Sequence, residues 1–150
     1  MSTLKEQLRT DLTAAMKARD ELRTATLRMV LAAVSAEEVA GKEARELSDD
    51  EVQAVLRREA KKRREAADAF AGAGRAEQAE RERAEGEVVA GYLPAQLEDA
   101  DLAAIVADVI TRTGASGMKD MGKVMGAANG VVAGRAEGSR VAAEVRRQLG

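Results

Sequence analysis

Along the first half of the chain, apolar residues recur three or four positions apart, the spacing that aligns side chains on one face of an α-helix. Thr3 and Glu6 form the T-x-x-E pattern of a capping box, which predicts that a first helix begins there. A second helix is predicted between Asp20, which can cap it, and Gly41, which can end it. The apolar series of the first helix consists of Leu4, Leu8, Leu12 and Met16.

A third and longer helix is predicted from the same kind of start signal. Ser48 and Glu51 repeat the capping-box pattern, and the apolar spacing continues to about Phe70. Residues 75–87 are mostly alanine and charged residues, so they favour helix without offering a substantial apolar face. We therefore expect this stretch to be a solvated helix or a connector.

Pro94 is the only proline, and it disfavours helical conformation at the residue before it. The sequence therefore predicts an N-terminal helical domain at residues 1–93 and a smaller helical lobe at residues 94–150. We expect Asp99 or Asp101 to cap the first helix of the lobe. The predicted fold class is all-α, with about four helices followed by three. The apolar series of the lobe fall at residues 102–110, 118–128 and 141–149.

The composition narrows the range of functions. Aromatic residues make up 1% of the chain, which disfavours a sheet and leaves almost nothing for stacking on bases. Histidine and cysteine are both absent, which excludes nucleophilic sites built on imidazole or thiol groups and the usual structural zinc sites. The net charge of −2, with 33% charged residues, is typical of a surface of mixed sign. We predict no catalytic residue, no metal and no cofactor.

The sequence also gives an expectation about location. No apolar run approaches the roughly 20 residues that a membrane span requires. The first residues lack the apolar core of a signal peptide. We therefore expect a cytoplasmic protein without a membrane partner.

Two short matches to catalytic motifs overlap in the lobe. Residues 117–123 fit G-x-x-x-x-G-K, but Val124 stands where a phosphate-binding loop needs Ser or Thr to hold magnesium. Ser116 and Lys119 fit S-x-x-K, a serine-nucleophile pattern whose companion motifs are absent. We interpret Ser116 as the cap of the second helix of the lobe.

The densest basic run lies on the third predicted helix. Arg57, Lys61 and Arg64 align there as one stripe, roughly opposite the apolar side. One interpretation is that the stripe contacts the phosphates of a nucleic acid. The other is a solvated helix face that pairs with glutamates.

Glu59 and Arg63 lie instead on the apolar side of the same helix, four residues apart, where they can pair with each other. The structural interpretation is a half-buried ion pair, which Arg23 or Arg28 of the second helix could join. The functional alternative is a carboxylate in a cleft.

Glycine recurs every fourth residue in the second helix of the lobe, so the glycines share one side of a continuous helix. Because each glycine destabilises a helix by roughly 1 kcal/mol relative to alanine, the series indicates a close neighbour at the backbone. That neighbour is either another helix of the lobe or an RNA backbone, with Lys119 and Lys123 alongside as phosphate contacts. The glycines are Gly122, Gly126, Gly130 and Gly134, and the alternative for Gly130 and Gly134 is that they simply end the helix.

Several motifs, in this order and at this separation, resemble the GatB/YqeY family along almost the whole chain. The most specific are Y-L-P-x-Q-L at residues 92–97 and M-G-K-V-M-G at residues 121–126. The Ala-rich segment at residues 75–84 is generic. Shorter matches lie at residues 11–12, 15–17, 19–20, 27–29 and 61–67 and at Phe70.

The resemblance implies that the C-terminal lobe is similar to the tail of the B subunit of tRNA-dependent amidotransferases. In those enzymes the tail contacts tRNA, and transamidation takes place in a separate cradle that nothing in this chain resembles. The first hypothesis is therefore a non-catalytic, tRNA-associated binding module of the Gln-tRNA and Asn-tRNA pathways. The alternative is an adaptor that binds an amidotransferase or an aminoacyl-tRNA synthetase without contacting RNA. A third reading, by family association, is a carbon–nitrogen ligase with glutamine as amide donor.

Overall fold

A computed structural model of the chain describes residues 2–150, and these residues form seven α-helices and one 3-10 turn. The all-α class predicted from the sequence is confirmed. Among the described residues, no helix is both long enough and apolar enough to cross a membrane. The chain divides into two compact units, of which the first ends at Leu93 and the second is Pro94–Gly150. That each unit is an independently folding domain stays a prediction.

The first unit is built from four helices around one apolar core. Helix α3 contacts each of the other three helices, and α2 also packs against α1 and α4. The core includes Leu8, Leu27, Val34, Val52 and Leu56, all with no exposed surface. Fully burying each of these side chains contributes about 1.5–3 kcal/mol. The helices are α1 (Thr3–Lys17), α2 (Glu21–Glu38), α3 (Asp49–Gly72) and α4 (Ala76–Ala90).

Two of the predicted helix starts are confirmed and one is wrong by a residue. The Ser48 side chain and the Glu51 side chain each bond the backbone N–H of the other, so the capping box of α3 is complete. Asp20 caps α2 by accepting the backbone N–H of Arg23. The cap of α1 is Ser2 and not Thr3. The Ser2 side chain accepts the backbone N–H of Lys5, and the hydroxyls of Ser2 and Thr3 both donate to Asp49 of α3.

The prediction for residues 75–87 is wrong in one respect. The segment is helical, but it is not a solvated connector, because α4 packs along α3 over much of its length. Ala79 and Val89 are buried in this contact, and so is the carboxylate residue Glu85. Small alanine side chains let two helices approach closely without a wide apolar face, which explains why the apolar periodicity of α4 is weak.

The second unit consists of three helices that contact one another pairwise around a core of small aliphatic residues. The predicted caps of this unit are wrong. Glu98 precedes α5 without a side-chain bond, which leaves Asp99 and Asp101 in its first turn. Ser116 caps nothing, since its own backbone N–H donates to Asp120 and a 3-10 turn precedes the second helix. The elements are α5 (Asp99–Thr113), the 3-10 turn Met118–Asp120, α6 (Met121–Val132) and α7 (Gly138–Leu149).

Candidate nucleic-acid interface

Helix α6 has one side in the core of the second unit and one side in solvent. Val124, Ala128 and Val132 are buried in the core and recur every fourth residue. Gly122 and Gly126 lie on the other side and are exposed. The predicted alignment of glycines on one face of this helix is therefore present.

No other part of the second unit covers these glycines. A Cβ atom added at Gly122, Gly126 or Gly130 would meet nothing within 4 Å. The interpretation that a neighbouring helix of the lobe packs against the glycines is therefore wrong. Gly134 does not continue the series, because it follows the end of α6 with a φ of 80°. The outer side of α6 is a smooth strip of exposed backbone, which we call the glycine face (Gly122, Gly126 and Gly130).

Cationic side chains stand at both ends of this helix. Lys119 is exposed and has no ion pair among the described residues. Lys123 is also exposed, and its Nζ donates to the Thr113 carbonyl at the end of α5, 2.8 Å away. Arg135 donates to the carbonyl oxygens of Val132 and Val131, both at 3.1 Å, so it caps the last turn of α6. A carbonyl partner holds each of the last two side chains in place without neutralising its charge.

On the other two helices of the second unit, α5 and α7, most arginines are paired with carboxylates. Arg112 Nε lies 2.9 Å from Asp108, and Arg140 Nη2 lies 3.0 Å from Asp99. Arg147 pairs with Glu144, and that hydrogen bond lowers the pKa of the Glu144 carboxyl to about 2. Of the cations in the second unit that lack a carboxylate partner, only Arg146 lies away from α6. The cations without a carboxylate partner are therefore concentrated around the glycine face, where Asp120 is the one acidic residue of residues 115–136.

The elements that carry this face also contain the most specific motif of the sequence, M-G-K-V-M-G. A family model described as Yqey-like protein matches residues 5–149. The chain belongs to this family. A search of curated proteins gave no match.

In this YqeY-like chain, the predicted basic stripe on α3 is partly neutralised. Lys61 Nζ lies 3.9 Å from Glu65 one turn later, and the neighbouring Arg58 lies 3.2 Å from Glu37 of α2. Arg57 is half-buried and Arg64 is exposed. The stripe therefore offers less free positive charge than its sequence indicates, and nucleic-acid contact by its residues stays a prediction.

The predicted pair of Glu59 and Arg63 is part of a larger buried network. Arg63 Nη2 lies 3.4 Å from Glu59 Oε2, and Arg63 Nη1 lies 3.3 Å from Glu82 and 3.6 Å from Glu85 of α4. Glu59 and Glu85 are each 7% exposed. One guanidinium therefore holds three carboxylates at the contact of α3 with α4. This geometry supports the structural interpretation and not a carboxylate in an open cleft.

The expectation that Arg23 or Arg28 of α2 joins the pair of Glu59 and Arg63 is wrong. Arg28 donates to the sulfur of Met16, and Arg23 turns to a different cluster. The link to α2 is made instead by Arg81, which binds Glu85 at 2.9 Å and both oxygens of Glu21 at 2.8 and 3.0 Å. The hydrogen bond from Arg81 lowers the pKa of the Glu21 carboxyl. These ion pairs join α2, α3 and α4.

Sequence reasoning missed a cluster around the single tyrosine. The Tyr92 hydroxyl donates to Asp11 Oδ2 at 2.6 Å and accepts from Arg23 Nη2 at 3.0 Å. The guanidinium of Arg23 also lies 5.9 Å from the ring centroid of Tyr92. Burial and the hydrogen bond to Asp11 raise the pKa of Tyr92 to about 12. A signal was available, since Asp11 interrupts the apolar side of α1 between two leucines.

The side chains around α6 and Tyr92 favour the binding of anions over metal binding or general-base catalysis. Within residues 2–150, no group of three or more Asp and Glu side chains could hold a metal ion. A tyrosine with a pKa near 12 stays protonated at neutral pH, so Tyr92 is a poor general base there. The cations around α6 can neutralise phosphate groups, and the glycine face admits a ligand close to the helix backbone.

Proposed function

We propose that this YqeY-like chain is a non-catalytic, tRNA-associated binding module of the tRNA-dependent amidotransferase pathways. The observation that carries the proposal is the open glycine face of α6 together with the unpaired cations beside it. Three glycines leave the Cβ positions empty, Lys119 lies in the 3-10 turn before this helix, and Lys123 lies in its first turn. An RNA backbone can approach such a surface more closely than one covered by long side chains.

The proposed recognition rests on phosphates and shape. Each phosphate that a lysine or arginine neutralises releases counterions, which favours binding at low salt. Aromatic residues make up only 1% of the chain, so stacking on splayed bases contributes little. Contacts to phosphates position a protein without reading a base sequence. The module would therefore recognise the fold of a tRNA and not a short single-stranded sequence.

Three further points support the proposal. The chain belongs to the YqeY-like family over residues 5–149. The motifs of its second unit resemble the tail of the amidotransferase B subunit, in which a helical lobe contacts tRNA. The second unit also has balanced charge, with seven basic and seven acidic residues, and its paired arginines leave the free cations around α6.

The alternative is a protein-interaction adaptor that assists an amidotransferase or an aminoacyl-tRNA synthetase without touching RNA. The charge of the whole chain favours this reading. The first unit carries 17 basic and 19 acidic residues, so it repels a polyanion weakly at long range. A module with two or three phosphate contacts binds weakly at physiological salt unless a partner protein contributes.

The test is fluorescence anisotropy of a labelled bulk tRNA with the full chain at several salt concentrations. We expect the logarithm of the binding constant to fall with the logarithm of salt by roughly 0.7–0.9 per phosphate contact. The variant Lys119→Glu/Lys123→Glu should weaken binding at least tenfold. The matched control Arg146→Glu/Arg147→Glu makes the same change of net charge in the last turn of α7, and it should retain most of the affinity.

A second variant separates shape from charge. Gly126→Leu leaves the net charge unchanged, and its Cβ would meet nothing within 4 Å. If RNA lies on the glycine face, this variant binds tRNA at least several-fold more weakly. Full affinity in both the lysine and the glycine variants would refute RNA binding at α6. Absence of tRNA binding by the wild-type chain, even at low salt, would favour the adaptor.

A further inference from the structure

A shallow groove of about 480 Å³ lies at the corner between α1 and α2 in the first unit. It belongs to neither the glycine face nor the buried ion pairs. Its polar side chains include two guanidinium groups, those of Arg19 and Arg28, and the hydroxyl of Thr24. Its apolar part is formed by Met16, which is 47% exposed, and by Ala25.

The two arginines of this groove lack the partners that most arginines in the chain have. Neither Arg19 nor Arg28 has a carboxylate within ion-pair distance among the described residues. The guanidinium of Arg28 instead lies 3.7 Å from the sulfur of Met16. The Thr24 hydroxyl makes no hydrogen bond in the described part of the chain. The groove thus presents unused donors on both sides of an apolar floor.

The one carboxylate in the groove is already neutralised. Both oxygens of Glu21 are bound by Arg81 of α4, at 2.8 and 3.0 Å. The N-terminus of α2 is also occupied, because Asp20 accepts the free N–H of Arg23. The positive charge in the groove therefore comes from side chains and has no internal anion to balance it.

The backbone of Arg19 adds an independent observation. Its φ is 57°, in the left-handed region that non-glycine residues rarely adopt. The turn that ends α1 requires this conformation, since the Asp20 N–H bonds the Ala15 carbonyl at 3.0 Å. Glycine would serve this turn better, so the fold gives no reason for an arginine here. Strained residues of this kind are concentrated at ligand sites.

We propose that this groove binds an acidic peptide segment of a partner protein, with a carboxylate between Arg19 and Arg28 and an aliphatic side chain against Met16. Arginine binds carboxylates through two parallel hydrogen bonds. Methionine is flexible and adapts to varied apolar side chains at protein-binding surfaces. A sugar–phosphate backbone has no apolar group to pack against Met16. A short acidic and aliphatic peptide offers both groups.

The test is an amide-proton NMR titration of the isotope-labelled full chain with the capped tripeptide glutamyl-leucyl-glutamate. We expect shift changes confined to the groove residues, approaching saturation by about 10 mM. The glutaminyl-leucyl-glutamine peptide, which lacks the carboxylates, should cause no such changes. The glutamyl-glycyl-glutamate peptide, which lacks the aliphatic group, should bind several-fold more weakly.

Two variants and one control assign the effect to the arginines. Arg28→Gln and Arg19→Gly should each weaken the tripeptide roughly tenfold, the loss expected for one charge-assisted contact. Arg146→Gln removes an equally exposed, unpaired arginine elsewhere and should leave the affinity unchanged. No shifts at 10 mM, or equal shifts with the glutamine peptide, would overturn the proposal. Stronger binding of a six-nucleotide uridylate at the same residues would replace it with a nucleic-acid site. None of these results would bear on the proposal that tRNA binds at α6.

Discussion

Replacing Arg63 tests whether one guanidinium holds the contact of α3 with α4 together. Its three carboxylate partners lie 3.3–3.6 Å away, and its side chain is 20% exposed. The variant Arg63→Met keeps the length of the aliphatic stem, so the packing of that stem is largely preserved. What the variant removes is the positive charge between Glu59 and Glu85, whose side chains are each 9% exposed.

The expected loss follows from this geometry. Removing one partner of a buried ion pair typically destabilises a protein by 3–5 kcal/mol, because the remaining charge stays buried without compensation. Arg81 still binds Glu85 and Lys62 still lies 3.4 Å from Glu59, so we take a value below this range, about 2 kcal/mol. For a unit of about 90 residues, each kcal/mol lowers Tm by about 4 °C, which gives a fall of about 8 °C. The triple variant Glu59→Gln/Arg63→Met/Glu85→Gln should recover at least half of this loss.

The assay is thermal unfolding followed by tyrosine fluorescence. The chain has one tyrosine and no tryptophan, and Tyr92 lies in the first unit, so the signal reports that unit alone. Arg58→Met serves as the control, because its pair with Glu37 is exposed and should contribute less than about 1 kcal/mol. If Arg63→Met unfolds within 3 °C of the wild type, the guanidinium does not hold the helices together. A triple variant no more stable than the single one would contradict the role of buried charge.

Three further predictions concern single residues. Hydrogen bonds from Ser2 and Thr3 lower the pKa of Asp49 from 3.8 to about 2. Its ionised form therefore stabilises the fold above pH 4, and this contribution disappears as the pH falls towards 2. Asp49→Asn should flatten the acid limb of a Tm–pH curve, and Asp50→Asn, which leaves the hydrogen bonds of Asp49 in place, is the control. Burial raises the pKa of Tyr92 to about 12, so the tyrosine of the unfolded chain loses its proton at a lower pH than that of the folded chain. The free energy of unfolding should therefore fall between pH 10 and 12. An absorbance titration of this single tyrosine with a midpoint near 10 would contradict the cluster. Arg19→Gly should raise the free energy of unfolding by about 0.5–1 kcal/mol in urea titrations, because glycine adopts the left-handed conformation of this residue without steric strain. A loss of stability would mean that the arginine supports the fold.

The helices could be predicted because their signals are local. The spacing of Leu4, Leu8 and Leu12, and the capping pairs at Ser48 and Asp20, depend only on residues within one or two turns. The error at α1 concerns a single residue. Thr3 and Ser2 are both good caps, and both hydroxyls donate to Asp49, which is 46 positions away from Thr3. Sequence spacing gives no information about such a contact.

The contacts between helices were harder to predict for the same reason. An excess of charge and alanine in α4 is compatible with a solvated helix and with a helix packed on α3. The packed arrangement is distinguished by the pairing of Arg63 with Glu82 and Glu85, which requires α3 and α4 to lie side by side. The expectation that Arg23 joins Glu59 was wrong for the same reason. An arginine side chain is long enough to reach several neighbouring partners, and Arg23 donates to the Tyr92 hydroxyl instead.

The glycines of α6 bear most directly on function, because the fold itself does not account for them. A helix that packed tightly on them would explain Gly122 and Gly126 by close contact, but both Cβ positions are open. Alanine would fit there and would favour the helix by roughly 1 kcal/mol at each position. The ligand proposed for α6, which must reach the helix backbone, would account for a surface that forgoes this stability beside Lys119 and Lys123. The same reasoning applies to Arg19, where a residue unfavourable for the turn presents a charge to a groove. In both places the sequence departs from what stability alone favours, and such departures indicate binding.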